Sequence, residues 1–404
     1  MADRRGGIVD LFAGAGGWDE GLRQLGHEAV GVEFDQLACA TGEAAGHARR
    51  LADVAALDPM EFAPLWGLIG SPPCQAYSTA GKNLGRFDKP HVIACAHELA
   101  AGADTRAEHA TACRDPRSLL TVEPLRWALA LRPRWIALEQ VPPALELWTI
   151  FVGLLATHGY HATAGVLSAE QYGVAQTRKR AFLIASLDGP VELPAPTHRS
   201  YNPRNPHEVR EGERHLRPWV SMGKALGWRR PGVARTHANT SYGRNPGGAS
   251  RELNRPAFTL DCSCGAWTFE PIPTDSTTPA GLHPRQGAAR VRGIDLPSFT
   301  LVASGLAHGQ PIWVHERPAT TVLGDRRIQP PGHKANATDP PGRYDSRSGT
   351  RAARVTVEQA TVLQGFRRNY PWQGSRHQQF RQIGNAVCPP VARRVLAAAM
   401  REDR

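Results

Sequence analysis

Apolar runs and stretches of helical spacing alternate over the first 190 residues. Gly7–Phe12 is closed by Ala13-Gly14-Ala15-Gly16-Gly17, and Ala29–Val32 ends at Glu33. Leu68-Ile69 runs into Gly70, Trp135–Leu138 ends at Glu139, and Phe182–Ala185 follows. Between two of these runs Val122, Leu125 and Leu129 recur at helical spacing. Strands alternating with helices predict an α/β fold, a doubly wound, mostly parallel sheet whose ligands lie beyond the carboxyl ends of its strands.

From about residue 187 to 350 the chain is rich in Pro, Gly, Arg, Asn and Thr, which predicts a smaller, loop-rich, partly β domain. Pro-[Ala/Ser]-x-Thr-[Leu/Val] occurs at Pro256–Leu260, Pro297–Leu301 and Pro318–Val322, and its unequal spacings exclude a solenoid. Helical signals return near the end. Thr356 and Gln359 have capping-box spacing ahead of Ala360, Leu363 and Phe366, and Pro389-Pro390 precedes Val391, Val395 and Leu396. The expected division is therefore 1–190, 191–350 and 351–404, the last returning to the first.

Of the 404 residues, 41% are hydrophobic and 21% charged, which excludes a disordered or membrane-embedded chain. No apolar run approaches the ~18 residues of a membrane span. Met1–Arg5 leads straight into the first strand, so no signal peptide and a cytoplasmic location are expected. The net charge of +11 favours a polyanionic partner such as nucleic acid. Seven cysteines without framework spacing are expected to be reduced thiols. Cys262-Ser263-Cys264 lacks a second pair at ligand spacing, so no metal is expected.

Four places carry candidate chemistry. The glycines of Asp10–Gly17 allow close backbone approach to a ligand, or simply make a tight turn; Asp19 breaks the dinucleotide fingerprint. Glu33, at a strand end, suits ribose hydroxyls or solvent equally. Ser71-Pro72-Pro73-Cys74-Gln75 presents a thiol on a stiffened loop, either a nucleophile or an inert thiol. Glu139 is a candidate acid at a strand end, and Gln176-Thr177-Arg178-Lys179-Arg180 places Gln176, Arg178 and Arg180 on one face of an extended segment.

In this order and spacing the motifs resemble the DNA (cytosine-5) methyltransferases of bacterial restriction–modification systems. Asp10–Gly17 resembles that family's cofactor loop, and Pro72-Pro73-Cys74-Gln75-Ala76-Tyr77-Ser78 its nucleophile motif. Glu139-Gln140-Val141 falls where the family has Glu-Asn-Val, and Gln176-x-Arg178-x-Arg180 matches Gln-x-Arg-x-Arg. Arg317–Val322 resembles the motif beside the variable target-recognition region, and Gln382–Val387 the last motif. The likeness covers roughly residues 8–190 and 317–395.

The resemblance implies a methyltransferase of Rossmann-like fold with a target-recognition domain, acting on C5 of a flipped-out cytosine in a specific double-stranded DNA sequence. S-adenosyl-L-methionine would be the cofactor, with no metal. It implies Cys74 as nucleophile and Glu139, Arg178 and Arg180 as its catalytic partners. The cofactor would be held by Phe12, Ala13, Gly14, Gly16, Gly17, Glu33, Phe34, Asp53, Val54, Ser71, Asn385, Ala386 and Val387. Gln75, Ser78 and Gln176 would face DNA, joined by Arg229, Arg230 and Arg244 among the arginines and aromatics of the middle region. A monomer with a cognate restriction endonuclease as genetic partner, or a solitary methylase, is the expected setting. A transfer-RNA cytosine-5 methyltransferase and a catalytically inactive DNA-binding scaffold are the alternatives. A nicotinamide oxidoreductase is disfavoured by the broken fingerprint. Two departures stand out: Gln140 replaces the family's Asn, and residues 86–116 read as an insertion in the catalytic loop, either a surface helical hairpin or a DNA-contacting lid.

Overall fold

The structure, a computed structural model, describes residues 6–73, 85–202, 204–205, 208–227, 232–235, 250–257, 268–271 and 353–402. The chain divides into two compact units, 1–227 with 255–265 and 356–404, and 228–254 with 266–355.

The larger unit is built on seven strands: β1 (Gly7–Leu11), β2 (Val30–Glu33), β3 (Ala48–Leu51), β4 (Leu65–Gly70), β5 (Trp135–Gln140), β6 (His161–Ser168) and β7 (Lys179–Ser186). Their order is β3-β2-β1-β4-β5-β7-β6. Neighbours from β3 to β5 pair in parallel, while β7 runs antiparallel to both β5 and β6. Its helices are α1 (Gly17–Arg23), α2 (Gln36–Ala44), α3 (Gly85–Ala100), α4 (Arg106–Ala112), α5 (Glu123–Leu131), α6 (Leu145–Thr157), α7 (Met222–Leu226), α8 (Val357–Gln364), α9 (Arg376–Asn385) and α10 (Pro389–Met400).

Alternation of side chains along the central strands explains why both sheet faces are covered. Val9, Leu11, Leu68, Ile136 and Leu138 point to one side, into a core with Val92, Leu125, Trp148 and Phe151 from α3, α5 and α6. Ile8, Ile69, Trp135, Ala137 and Phe182 point to the other, against Trp18 and Leu22 of α1 and Val391, Val395 and Leu396 of α10. Each such aliphatic side chain contributes roughly 1.5–3 kcal/mol by leaving water. The C-terminal helix thus completes the first layer. A Cβ on Gly21 would stand 2.8 Å from Ala392 Cβ and from Arg393 N, so glycine is what lets α1 and α10 touch.

Residues 191–227, expected with the second domain, group with the larger unit. Backbone bonds hold them there: Thr197 N and His198 N each donate to Gln171 O at 2.9 Å, and Met222 N donates to Arg255 O at 2.7 Å. The hairpin over residues 86–116 also differs from expectation. Val92, Cys95, Ala96 and Leu99 are buried in the main core, so α3 is a wall of the fold and not a lid. Asp88 is buried and accepts from Arg114 N, Asp115 N and Ser118 Oγ, which fixes how the chain leaves α4.

In the second unit β8 (Gly232–Arg235), β9 (Ser250–Glu252), β10 (Thr268–Pro271) and β11 (Ala353–Arg354) form an antiparallel sheet in the order β11-β10-β8-β9. No helix among the described residues is long and apolar enough to cross a membrane.

Candidate active site

The strand order reverses between β1 and β4, and the loops leaving these two strands lie side by side. Ser71 N donates to Leu11 O at 3.1 Å, and Trp18 Nε1 donates to Ser71 Oγ at 2.8 Å. Such a switch point is where open α/β sheets bind ligands.

The first loop needs unusual backbone. Phe12, Gly14 and Gly16 have φ of 60°, 56° and 108°, all left-handed. Gly14 and Gly16 adopt this freely, but for Phe12 it costs about 1–2 kcal/mol, a strain typical of functional turns. Glu33 holds the turn. Its Oε2 accepts from Gly14 N at 2.8 Å, and its Oε1 accepts from Phe34 N at 2.9 Å and Asp35 N at 2.7 Å. Beside it Phe34 is 77% exposed, a large apolar ring left in solvent. Ala52 N donates to Glu33 O, which brings Asp53 alongside; the Asp53 carboxylate caps its own turn through Ala55 N at 3.0 Å. Val54 is buried below, its carbonyl accepting from Arg126 Nη2 at 3.0 Å.

The second part of the site is at the end of β5. Glu139 is only 7% exposed, and Arg180 Nε lies 3.0 Å from its Oε1. The antiparallel β5–β7 register, with Glu139 opposite Phe182, brings the start of β7 to this place. Gln140 is buried; its Nε2 donates to Pro72 O at 2.9 Å and Pro73 O at 3.4 Å, and its Oε1 accepts from Val141 N at 2.7 Å. The residue that departs from the family pattern therefore ties β5 to the proline pair that leads into Cys74. Cys74, Gln75 and Ser78 lie outside the described residues, as do Arg229, Arg230 and Arg244.

The far end of the chain closes the loop. A Cβ on Gly17 would overlap the Val387 backbone, with Val387 N 2.9 Å away. Arg178 Nη1 donates to Gly384 O at 2.8 Å, and Gln364 Nε2 to Ala386 O at 2.6 Å. Asn385, the last residue of α9, is exposed. Gln176, expected on DNA, is instead fully buried: its amide donates to Leu363 O and Gln364 Oε1, so it belongs to the scaffold that carries α8. Sequence reading missed Trp18 and Tyr370, whose hydroxyl donates to Ala15 O. Both act through contacts distant in sequence, for which no local signal exists.

Burial sets the electrostatics. It pushes the Cys388 thiol, near Arg178 and Arg180, up to about 11. Burial, reinforced by the Asp19 carboxylate, holds the Asp10 carboxyl well above the usual carboxylate range.

The strand order, the antiparallel seventh strand and the glycine turn at the switch point define an α/β, Rossmann-like fold of the methyltransferase type. Consistent with this, the fold is similar to a methyltransferase of Entamoeba histolytica (TM-score 0.56, 13% identity, all of both chains) and to the Dnmt2 methyltransferase of S. pombe (TM-score 0.52, 12% identity, 98% of this chain and 99% of that one). The family of C-5 cytosine-specific DNA methylases matches residues 7–94, 106–230 and 276–401, and the chain belongs to it. Among curated proteins it is 29% identical over 212 residues to a type II methyltransferase of Haemophilus parahaemolyticus, covering 48% of this chain and 50% of that protein. It is 24% identical over 458 aligned residues to a type II methyltransferase of Thalassovita gelatinovora, covering 97% and 98%. The chain spans about half the length of the first curated relatives it matches.

The family implies S-adenosyl-L-methionine, and the residues present fit it. Gly14 leaves open space where a Cβ would stand, Phe34 offers a free ring for an adenine, and the Glu33 carboxylate flanks the turn. No cluster of three or more metal-ligating side chains occurs among the described residues.

Proposed function

We propose that this protein methylates C5 of cytosine within a specific double-stranded DNA sequence, using S-adenosyl-L-methionine. The observation that most supports this reading is the buried Glu139, paired with Arg180 and followed by the residue that tethers the Pro72–Pro73 run before Cys74. A carboxylate held next to a tethered nucleophile loop suits a ring that must be attacked at one atom and steadied at another.

C5 of cytosine is a poor nucleophile. Addition of the Cys74 thiolate to C6 forms the S–C6 bond, opens the C5=C6 π bond and places the electron pair on C5. Glu139 hydrogen-bonds N3 and the exocyclic amine, stabilising the charge that builds in the ring. Arg180 orients that carboxylate, and Arg178 anchors the β7 start to the C-terminal segment. The bound donor supplies an electrophilic methyl group. Loss of the C5 proton then returns its electron pair to the ring and expels Cys74 as thiolate. Phe12, Ala13, Gly14, Gly16, Gly17, Glu33, Phe34, Asp53, Val54, Ser71, Asn385, Ala386 and Val387 would hold the donor.

The target base must leave the duplex, at a cost of a few kcal/mol. The net charge of +11 favours DNA, and we assign target recognition to the smaller unit, residues 228–254 with 266–355. We assign the protein to the cytoplasm as a monomer, either partnered genetically by a restriction endonuclease or solitary. Bisulfite sequencing of DNA from a methylation-free host expressing the chain, beside Cys74→Ser, tests the proposal. Protected cytosines in one short context, absent in the variant, are expected; uniform conversion with soluble wild-type protein would refute it.

A further inference from the structure

Beneath the glycine turn lies a buried charge cluster that the proposed chemistry does not use. Arg49, the second residue of β3, has its side chain fully removed from solvent. It donates to both carboxylate oxygens of Asp19, at 2.7 and 3.3 Å, and Asp19 sits on α1 two residues beyond Gly17. Three glycines, on β2, on α2 and in the turn before α1, make its socket. A Cβ on Gly31 of β2 would lie 2.5 Å from Arg49 Nη1, one on Gly42 of α2 2.5 Å from Nε, and one on Gly16 3.3 Å from Nη2. Gly42 has an ordinary helical backbone, where alanine is the better helix former. The arginine, not the helix, explains that glycine.

The same cluster reaches the turn from two more sides. Asp10, at the turn's entrance, is fully buried, and neither of its carboxyl oxygens has a hydrogen-bond partner. Tyr370 donates its hydroxyl to Ala15 O, in the middle of the turn. A buried ion pair is a poor source of stability, because desolvation offsets its attraction. What a bidentate, planar guanidinium does supply is geometry.

We infer that Arg49 is a positioning residue for the methyl donor: through Asp19, and seated in the Gly16–Gly31–Gly42 socket, it fixes where the Ala13–Gly17 turn stands. It does not touch the donor. The inference rests on the reading of this turn as the donor site.

The test is calorimetric titration of the full-length protein with S-adenosylhomocysteine, well below each variant's melting temperature. Wild type, Arg49→Lys and Gly42→Ala are compared, with circular dichroism to establish folding. Arg49→Lys is expected to weaken binding at least 10-fold. Gly42→Ala, which keeps both charges but crowds the guanidinium, is expected to weaken it about 5-fold while leaving helix content unchanged. If Arg49→Lys does not fold, Gly42→Ala decides alone. Binding within 2-fold of wild type in the folded variants, even with lowered melting temperatures, would make the cluster merely structural and overturn the inference. Failure of the wild type itself to bind would instead remove the donor-site reading beneath it.

Discussion

Replacing Gln140 with leucine keeps the side chain's bulk and removes its polar atoms. Three hydrogen bonds vanish: two to the carbonyls of Pro72 and Pro73, and one from Val141 N. Pro72 is buried, so its carbonyl is left without a donor, at roughly 1–3 kcal/mol for a stranded buried group. Val141 N is stranded less completely, since its residue is half-buried. A total of about 2–4 kcal/mol follows, which lowers the melting temperature by roughly 2–5 °C in a chain of 404 residues. The catalytic consequence is larger. The prolines lead directly into Cys74, and misplacing a reacting group by about 1 Å can cost ~100-fold in rate. Gln140→Leu is therefore expected to lower kcat about 100-fold with KM for DNA changed only a few-fold, measured by rapid-quench methyl transfer at 20 °C. Gln140→Asn, one methylene short of Pro72 O, should fall between. A folded Gln140→Leu enzyme with wild-type kcat would refute the claim that this amide positions the nucleophile loop.

Two further outcomes are expected. Burial raises the Cys39, Cys95, Cys113 and Cys388 thiols to about 11, so at pH 8 only roughly one in a thousand is the reactive thiolate. Iodoacetamide followed by peptide mass spectrometry should leave these four unmodified in the native protein until the pH nears 11, and rapid labelling of Cys388 at pH 7.5 would contradict this. Asp10 takes up a proton on folding because its native carboxyl lies above the unfolded value, so its contribution to stability declines as pH rises from the usual carboxylate range to the raised native one. Asp10→Asn should flatten the fall in melting temperature as pH rises above the usual carboxylate range and raise the melting temperature at the alkaline end; an unchanged slope would count against a buried, proton-binding Asp10.

The strands legible in the sequence were those buried on both faces, β1, β2, β4, β5 and β7, because two-sided burial leaves a continuous apolar run. The two edge strands escaped notice. In β3 the sequence is Ala-Arg-Arg-Leu, and in β6 the small residues Ala162, Ala164 and Gly165 replace a run of branched ones. Helix α3 was legible as helix but not as core, although Val92, Cys95, Ala96 and Leu99 keep the i, i+3, i+4, i+7 spacing of a core-facing helix. At the candidate site, motif order pointed to Glu139 and the glycine turn, whereas the contacts of Gln140 could be seen only once Pro72 and Pro73 stood beside it. Asp19 is the clearest case. It spoils the dinucleotide fingerprint as sequence, and it is the partner of a buried arginine thirty residues away.

The packing of Gly17 against Val387, and of Tyr370 on Ala15, sets an order for biosynthesis. A ribosome adding roughly 5–20 residues per second emits the turn early and its last wall only about 20–80 seconds later. Throughout that interval the nascent chain carries the opening of the proposed donor pocket without the closing. The same arrangement means that a gene split anywhere between these segments would yield two polypeptides, neither with a finished pocket, and donor binding would then report their reunion.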